Sequence, residues 1–359
     1  MLRTRIVALA VTAALAGCGG GATSIPASNT LPPQAQQATQ KPTAHTDVNA
    51  VNVASNIYVV VGNTLREYPV TANGNTQPKE IFTFPSGEAP SGRIAVRPDP
   101  WVSGTYDVFY ATGNMGGGFG AYLVDRLTPG NNTLQTIWTV EIGQFHGATD
   151  VVVSDSYVPT ILVPGTQTTK SSLIQMGAFT NGNIAGKIQS TFTWSGDTNA
   201  PAQHIALDPL DQSVWFGTTS SGVLEMSLVN QANTSVFYTQ TTNIQWPQDQ
   251  EEGIPITAYQ FDVNENEQLV AAAQENGFMN LGTAVVNLIG SPTFPGYEAG
   301  DQLSNVLGVA SDKSNIYTVG VDQADKVGEI VVVPDGNLQS ASKIIVDSTL
   351  SKASALTIY

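Results

Sequence analysis

The chain has 359 residues, 14 of them basic and 29 acidic, for a formal net charge of −15. So acidic a chain argues against nucleic-acid binding and against electrostatic adhesion to anionic lipid. Only 12% of residues are charged, whereas glycine (34) and proline (20) are plentiful and Val, Thr, Ile and Tyr recur throughout, a balance that predicts an all-β protein rich in turns.

The chain opens MLRTRIVALAVTAALAGCGGG. Arg3 and Arg5 precede an apolar run from Ile6 to Ala16, too short to span a bilayer and of the length of a signal-peptide core. Leu15-Ala16-Gly17-Cys18 then resembles the bacterial lipobox. The resemblance implies that residues 1–17 are a signal peptide, cut before a cysteine whose thiol is diacylglycerylated and whose new amine is acylated. Cys18 is the chain's single cysteine, so an internal disulfide is excluded and a lipid role is the economical one. The alternative is an ordinary secretory signal that happens to hold a cysteine. Two or three acyl chains, at about 0.8 kcal/mol per buried methylene, anchor stably where one does not. Gly19 rather than Asp follows, which by resemblance to enterobacterial sorting implies the outer membrane. The expected location is therefore the cell envelope, lipid-anchored, at the periplasmic face or surface of the outer membrane. Cleavage would leave 12 basic against 29 acidic residues.

Residues 18–48 are rich in Pro, Gln, Ala, Ser and Thr and lack apolar periodicity, so they are predicted to be a disordered tether. A chain of that length reaches roughly 30 Å. His45 lies in it and is assigned no role.

From residue 49 a unit recurs. RIAVRPDP (Arg93–Pro100) precedes YDVFYATG (Tyr106–Gly113), and DVVVSDS (Asp150–Ser156) precedes PTILVPG (Pro159–Gly165). HIALDPLD (His204–Asp211) with SVWFGTT, AYQFDVNENE (Ala258–Glu267) with QLVAAAQ, and VLGVASDKS (Val306–Ser314) with NIYTVG continue the series. Each pair is an apolar strand, a polar turn and a second apolar strand, which is a hairpin. A third strand follows each, as in TLREYPV (Thr64–Val70) and GEIVVVPDG (Gly328–Gly336), then a less regular fourth, as in TLQTIWTV (Thr133–Val140). Four antiparallel strands repeating at about 40–55 residues describe a β-propeller blade; a pair of β-sandwiches would not explain six recurrences of one hairpin.

The phases of the repeat differ at the two ends. NIYVVVGN (Asn56–Asn63) is a second strand with no first strand before it, and ALTIY (Ala355–Tyr359) is a first strand with no second after it. The expectation is a six-bladed β-propeller over residues 49–359, closed by the C-terminal strand pairing beside Ile57–Val61, so that neither edge is left open. NIYVVVGNTLREYPVTANGNTQPKEIFTF (Asn56–Phe84) resembles the NHL-type and regucalcin-like six-bladed propellers, in a form seen in bacterial envelope lipoproteins. That resemblance implies a fold and no single function, because propellers host lactonases, lyases, receptors and inert scaffolds.

In such propellers, ligands meet loops and the start of each innermost strand. Aligning the units on Ile94, Val151, Ile205, Tyr259, Leu307 and Leu356 places Arg93, Asp150 and His204 just before the first three positions, and Ala258, Val306 and Ala355 before the others. One side of the channel mouth is then polar and the other apolar, which suits a small ligand. His146 in GQFHGATD and Glu88 in SGEAPSG lie in loops feeding the polar side. A functional reading makes His204 or His146 a general base, Asp150 its orienter and Arg93 an anion clamp. The structural alternative is an Arg93–Asp150 ion pair between blades, with His204 bonded to backbone.

Regucalcin-like lactonases hold a divalent cation with Glu, Asn and Asp, and this chain has no acidic residue at the matching place of blades four to six. DVNENE (Asp262–Glu267) resembles a calcium loop but falls in a hairpin turn and lacks its central Gly and later Glu. No metal and no cofactor is predicted. The longest inter-blade loop, Gln240–Pro255, carries Trp246 beside Asp249, Glu251 and Glu252, so Trp246, Glu251 and Glu252 are candidates for protein or carbohydrate contact; Trp246 can equally plug the neighbouring blade. Two functions stay open: an envelope-anchored, non-catalytic module binding a protein or small ligand, and an extracytoplasmic hydrolase or lyase at the channel mouth.

Overall fold

A strand that is apolar without a break needs cover on both faces, and NIYVVV at Asn56–Val61 is such a strand, buried at every position after the first. The computed structural model describes residues 56–69, 77–85, 89–90, 92–99, 102–112, 119–125, 133–140, 148–163, 171–176, 188–193, 202–220, 223–232, 237–245, 256–275, 281–287, 293–298, 303–322, 324–334 and 342–359. The expected signal peptide, Cys18 and the tether lie outside these residues, as do Glu88, His146, Trp246, Glu251 and Glu252.

The described strands form six four-stranded antiparallel sheets. The first contains β1 (Asn56–Val61), β2 (Thr64–Pro69) and β3 (Lys79–Thr83), joined by β24 (Ala353–Ile358) from the other end of the chain. The second runs β4 (Ile94–Pro98), β5 (Tyr106–Thr112), β6 (Phe119–Asp125) and β7 (Thr133–Val140), and the third β8 (Asp150–Val153), β9 (Pro159–Val163), β10 (Ser172–Met176) and β11 (Ile188–Thr193). The fourth comprises β12 (Ala202–Leu207), β13 (Val214–Ser220), β14 (Val223–Ala232) and β15 (Phe237–Gln245), and the fifth β16 (Ile256–Val263), β17 (Gln268–Glu275), β18 (Leu281–Asn287) and β19 (Thr293–Glu298). The sixth is β20 (Leu303–Ser311), β21 (Asn315–Asp322), β22 (Gly328–Pro334) and β23 (Ser342–Val346). β15 runs to Gln245, so the first part of the expected long loop from Gln240 is strand and not loop. A short 3-10 helix, Ser348–Lys352, precedes β24 and has no counterpart in the sequence reading.

β24 pairs antiparallel with β1, Ile57 opposite Ile358 and Val59 opposite Leu356, and Asn56 and Tyr359 exchange backbone hydrogen bonds at 3.3 and 3.2 Å. On the other side β1 turns into β2 through Gly62-Asn63; Gly62 has φ +59°, the positive value a two-residue hairpin demands at its first turn position. The leading strands also touch one another in succession: β4 meets β8, β8 meets β12, β12 meets β16, β16 meets β20, β20 meets β24 and β24 meets β4.

Burial explains the unbroken apolar runs. Ile57, Val59 and Leu356 pack with Tyr317, Val319, Ile330 and Val332 of the sixth sheet. The alternate residues Tyr58, Val60 and Ala355 pack with Ile94, Val96, Val108 and Tyr110 of the second. One face of each strand thus faces the preceding sheet and the other face the next. Phe109 and Ala111 carry the same alternation on into the third sheet, against Val151 and Ile161.

The 3-10 helix is held by a polar knot. Asp347 accepts from the backbone N–H and the hydroxyl of Thr349, at 2.9 and 2.7 Å, and from the Tyr68 hydroxyl at 3.0 Å, with Arg66 3.7 Å away. Partial burial raises the Asp347 pKa, but the Thr349 and Tyr68 hydrogen bonds and the Arg66 charge together outweigh it, so the net shift is downward. Burial pushes Tyr68 up to about 12.

Two outcomes are expected. Deleting Ser354–Tyr359 removes the buried Leu356 and Ala355 and bares the β1 edge, at a cost above about 3 kcal/mol and a drop in melting temperature of roughly 5–10 °C, with aggregation. Calorimetry and light scattering check it, and an unchanged melting temperature would contradict it. Asp347→Ala should cost about 0.5–2 kcal/mol at pH 7 through loss of the cap. Because the folded pKa lies below the unfolded value of about 3.9, the ionic part of that stabilisation is present above the unfolded value. It is lost as pH falls through the folded one, so the gap between wild type and variant should narrow in urea titrations carried into acid.

Candidate functional site

Asp150 opens β8 in the layer where leading strands meet, and its side chain is only 1% exposed. Its Oδ1 accepts the Arg93 backbone N–H at 2.6 Å; its Oδ2 accepts the Ile205 N–H at 3.0 Å and lies 3.2 Å from His204 Nδ1. One carboxylate thus joins the approach to β4, the start of β8 and the middle of β12. Close approach is possible because residue 92 is glycine: a β-carbon there would lie 1.9 Å from Asp150 Oδ1 and 2.5 Å from the Thr149 carbonyl.

The Arg93 guanidinium goes elsewhere. Its Nη1 pairs with Asp262 Oδ1 at 2.6 Å and donates to the Phe261 carbonyl at 3.2 Å. Both residues are on β16, three leading strands from β4 in either direction along the series of contacts. Asp262 Oδ2 in turn accepts the backbone N–H of Ser311 at 2.8 Å and its hydroxyl at 3.3 Å. Arg97, two residues beyond Ala95 on β4, donates its Nε to the Val153 carbonyl at 3.0 Å. The recurring device is a side chain on one leading strand bonded to the backbone of the next.

This corrects the structural alternative drawn from the sequence. Arg93 and Asp150 meet, but through the Arg93 backbone and not as an ion pair; the ion pair is Arg93–Asp262. His204 bonds the Asp150 carboxylate and not backbone. Asp262 belongs to the strand before the DVNENE turn, and the turn itself is organised by Asn264, whose Oδ1 accepts from the N–H groups of Asn266 and Gln268.

The turns also re-index the layer. The backbone bonds that close five of them begin at Asp99, Ser154, Asp208, Asn264 and Asp312, and the equivalent bond from β24 to Asn56 begins at Tyr359. Four places before these stand Ala95, Asp150, His204, Gln260, Gly308 and Ala355. Alignment on apolar residues therefore places Asp150, His204 and Ala355 correctly but is two residues off in the other three. In β16 and β20 the cause is the choice of Tyr259 and Leu307 as the aligned residues, where the turns select Phe261 and Val309. A register shift falls at both places, but also between Ala202 and His204 in β12, which is placed correctly. In β4 it is alignment on Ile94 where the turn selects Val96. Gln260 and Asp262 were missed for that reason; the only signal for them was the spacing back from the turn.

The layer brings together Arg93, Asp150 and His204 and adds Asp262. Asp150 orients the His204 ring, with 20% of the His204 side chain exposed. A ring so held can accept or pass a proton, while the bonded Arg93 guanidinium has donated to partners within the fold.

No protein-family model matches the chain, and no curated protein matches it. Solved structures do match. A chain of a nidogen/laminin complex superposes with a TM-score of 0.52 at 10% identity, over 84% of this chain and 97% of that one. A protein from Lactobacillus plantarum gives 0.51 at 12% identity, over 85% of each. The propeller of Dos1 aligns at a TM-score of 0.40 and 10% identity, over 76% of this chain and 62% of that one. At these identities the likeness to the first two is one of fold alone, and sheets of four antiparallel strands with their leading strands in mutual contact are the β-propeller arrangement.

Asp150→Ala would leave two backbone N–H groups and His204 without their acceptor, at a cost of at least about 3 kcal/mol. Urea denaturation measures this, with Asp150→Asn expected to fall between wild type and alanine.

Proposed function

We propose that the chain is an envelope lipoprotein in which residues 1–17 are removed, Cys18 is acylated and residues 18–48 tether a six-bladed propeller closed by β24 beside β1. The propeller serves as a non-catalytic binding module for an envelope protein or a small ligand. The closed ring is supported by the β1–β24 pairing and by the contacts of β24 with both β20 and β4. The lipid anchor is supported by the lipobox-like stretch ending at Cys18.

One observation carries the binding reading: the charged groups of the leading-strand layer are bonded to one another and to backbone. Asp150 accepts from two backbone N–H groups and lies beside His204, and Arg93 is neutralised by Asp262. Such bonding stiffens the frame, and a stiff frame that holds its loops is how scaffolds present binding surfaces. A fold neighbour found in a nidogen/laminin complex fits the same use.

A hydrolase or lyase is the second reading, favoured by the 3.2 Å approach of His204 Nδ1 to Asp150, the geometry of an oriented general base. Labelled palmitate should enter the full chain and not its Cys18→Ser variant. The purified chain, assayed against lactones with and without divalent cations, should give no turnover above background. Turnover that His204→Ala abolishes would replace the binding reading with the hydrolytic one.

A further inference from the structure

Arg93 stands at the approach to β4, and the partner of its guanidinium stands on β16. In the succession of leading strands those two are opposite, with β8 and β12 between them on one side and β24 and β20 on the other. A line that joins opposite members of a ring crosses its middle. The Arg93 and Asp262 side chains are 13% and 7% exposed, which puts the crossing inside the ring and not over a mouth. One nitrogen, Nη1, makes both contacts there: Asp262 Oδ1 at 2.6 Å and the Phe261 carbonyl at 3.2 Å.

Both ends of the crossing are fixed. The Arg93 backbone N–H donates to Asp150 on β8, which also accepts from Ile205 on β12. At the far end Asp262 Oδ2 accepts from the backbone and the hydroxyl of Ser311 on β20. One continuous line of bonds therefore runs from β12 through β8 and the start of β4 to β16 and β20. Of the leading strands, β24 alone has no part in that line among the described residues.

Position decides what such a pair does. A bond between neighbouring leading strands fastens a seam, as that of Arg97 to the Val153 carbonyl fastens β4 to β8. A pair between opposite strands occupies the space that the ring encloses. The guanidinium cannot swing aside without leaving Asp262 a buried carboxylate with no counter-charge from Arg93, and breaking one partner of a buried pair is costly.

We propose that the Arg93–Asp262 pair is a bar across the axis, which closes the channel of the propeller from within. A ligand or partner then meets one face of the ring and does not enter along the axis. The cation of the axis is the protein's own guanidinium. Emptied of it, the place is a site for a planar cation, with Asp262 and the Phe261 carbonyl as acceptors. The bar goes beyond the binding module proposed above and rests on its six-bladed ring.

The test removes the bar and offers its head group back. In the full chain, solubilised in detergent, Arg93→Ala should melt several degrees below wild type. Methylguanidinium at low millimolar concentration should recover much of that loss, saturably, whereas sodium chloride of equal strength should not. It should do nothing for wild type, where the place is filled, or for Arg93→Ala/Asp262→Asn, where the counter-charge is gone. If Arg93→Ala does not fold, Arg93→Met/Asp262→Asn should melt higher than Asp262→Asn alone. The ring is tested separately, by spin labels on cysteines placed in pairs at Ser156, Leu210 and Lys313 of a Cys18→Ser chain. Each of those three residues is exposed in the turn after a leading strand. With six blades, the distance from Ser156 to Lys313 is about twice that from Ser156 to Leu210. Another ratio overturns the six-bladed reading and the bar with it. The bar alone is overturned, with the ratio as expected, by any of four results: Arg93→Ala melting with wild type, no recovery by methylguanidinium, an equal gain for wild type, or a double variant no more stable than Asp262→Asn.

Discussion

Burial of both faces of every leading hairpin is the constraint from which the remaining architecture follows. β1 places Ile57 and Val59 against the sixth sheet and Tyr58 and Val60 against the second. A sheet with two apolar faces needs cover on both. The demand is met by drawing β24 from the far end of the chain to lead the first sheet. Leu356 then packs towards the sixth sheet and Ala355 towards the second, completing the alternation that β1 began. The neighbouring 3-10 helix brings Leu350 and the Asp347 cap into the same seam, where Tyr68 and Arg66 hold them.

Apolar packing between sheets is not directional, and the polar bonds between leading strands supply what it lacks. Asp150 fixes the height of β12 and of the approach to β4 by accepting from both backbones. Asp262 fixes β20 in the same way, and Arg97 fixes β8. Arg93 differs from these in reaching a strand that does not neighbour its own. Buried pairs of this kind add little net stability over an apolar replacement but are costly to break singly. Their effect is to select one arrangement of the layer, and Gln260 is the member that this bonding leaves over.

The strand inventory was legible because it depends on local pattern. TLQTIWTV reads as a strand and is one over Thr133–Val140; GEIVVVPDG starts where β22 starts, at Gly328. Turns were legible for a similar reason, since Asp, Asn and Pro hold them through short local bonds such as those of Asp208 and Asn264. The lining of the layer was only half legible. Counting apolar residues picked the right position in β8 and β12 and slipped by two in β16 and β20, where AYQFDV and VLGVAS each offer two alternate apolar residues to align on. Residue type does not say which of the two the turn selects, so Gln260 and Gly308 stood two places from where the pattern pointed.

By itself the sequence determined the all-β class, the repeat, the phase mismatch between the two ends and the lipobox-like stretch, because each is written in residue type and spacing over short distances. Tertiary structure alone decided which partner each charged group took. Arg93 lies 57 residues from Asp150 and 169 from Asp262, and pairs through its side chain with the second. Sequence separation carries no information on that choice: it is set by where strand twist and bulges aim a long side chain once the sheets have packed.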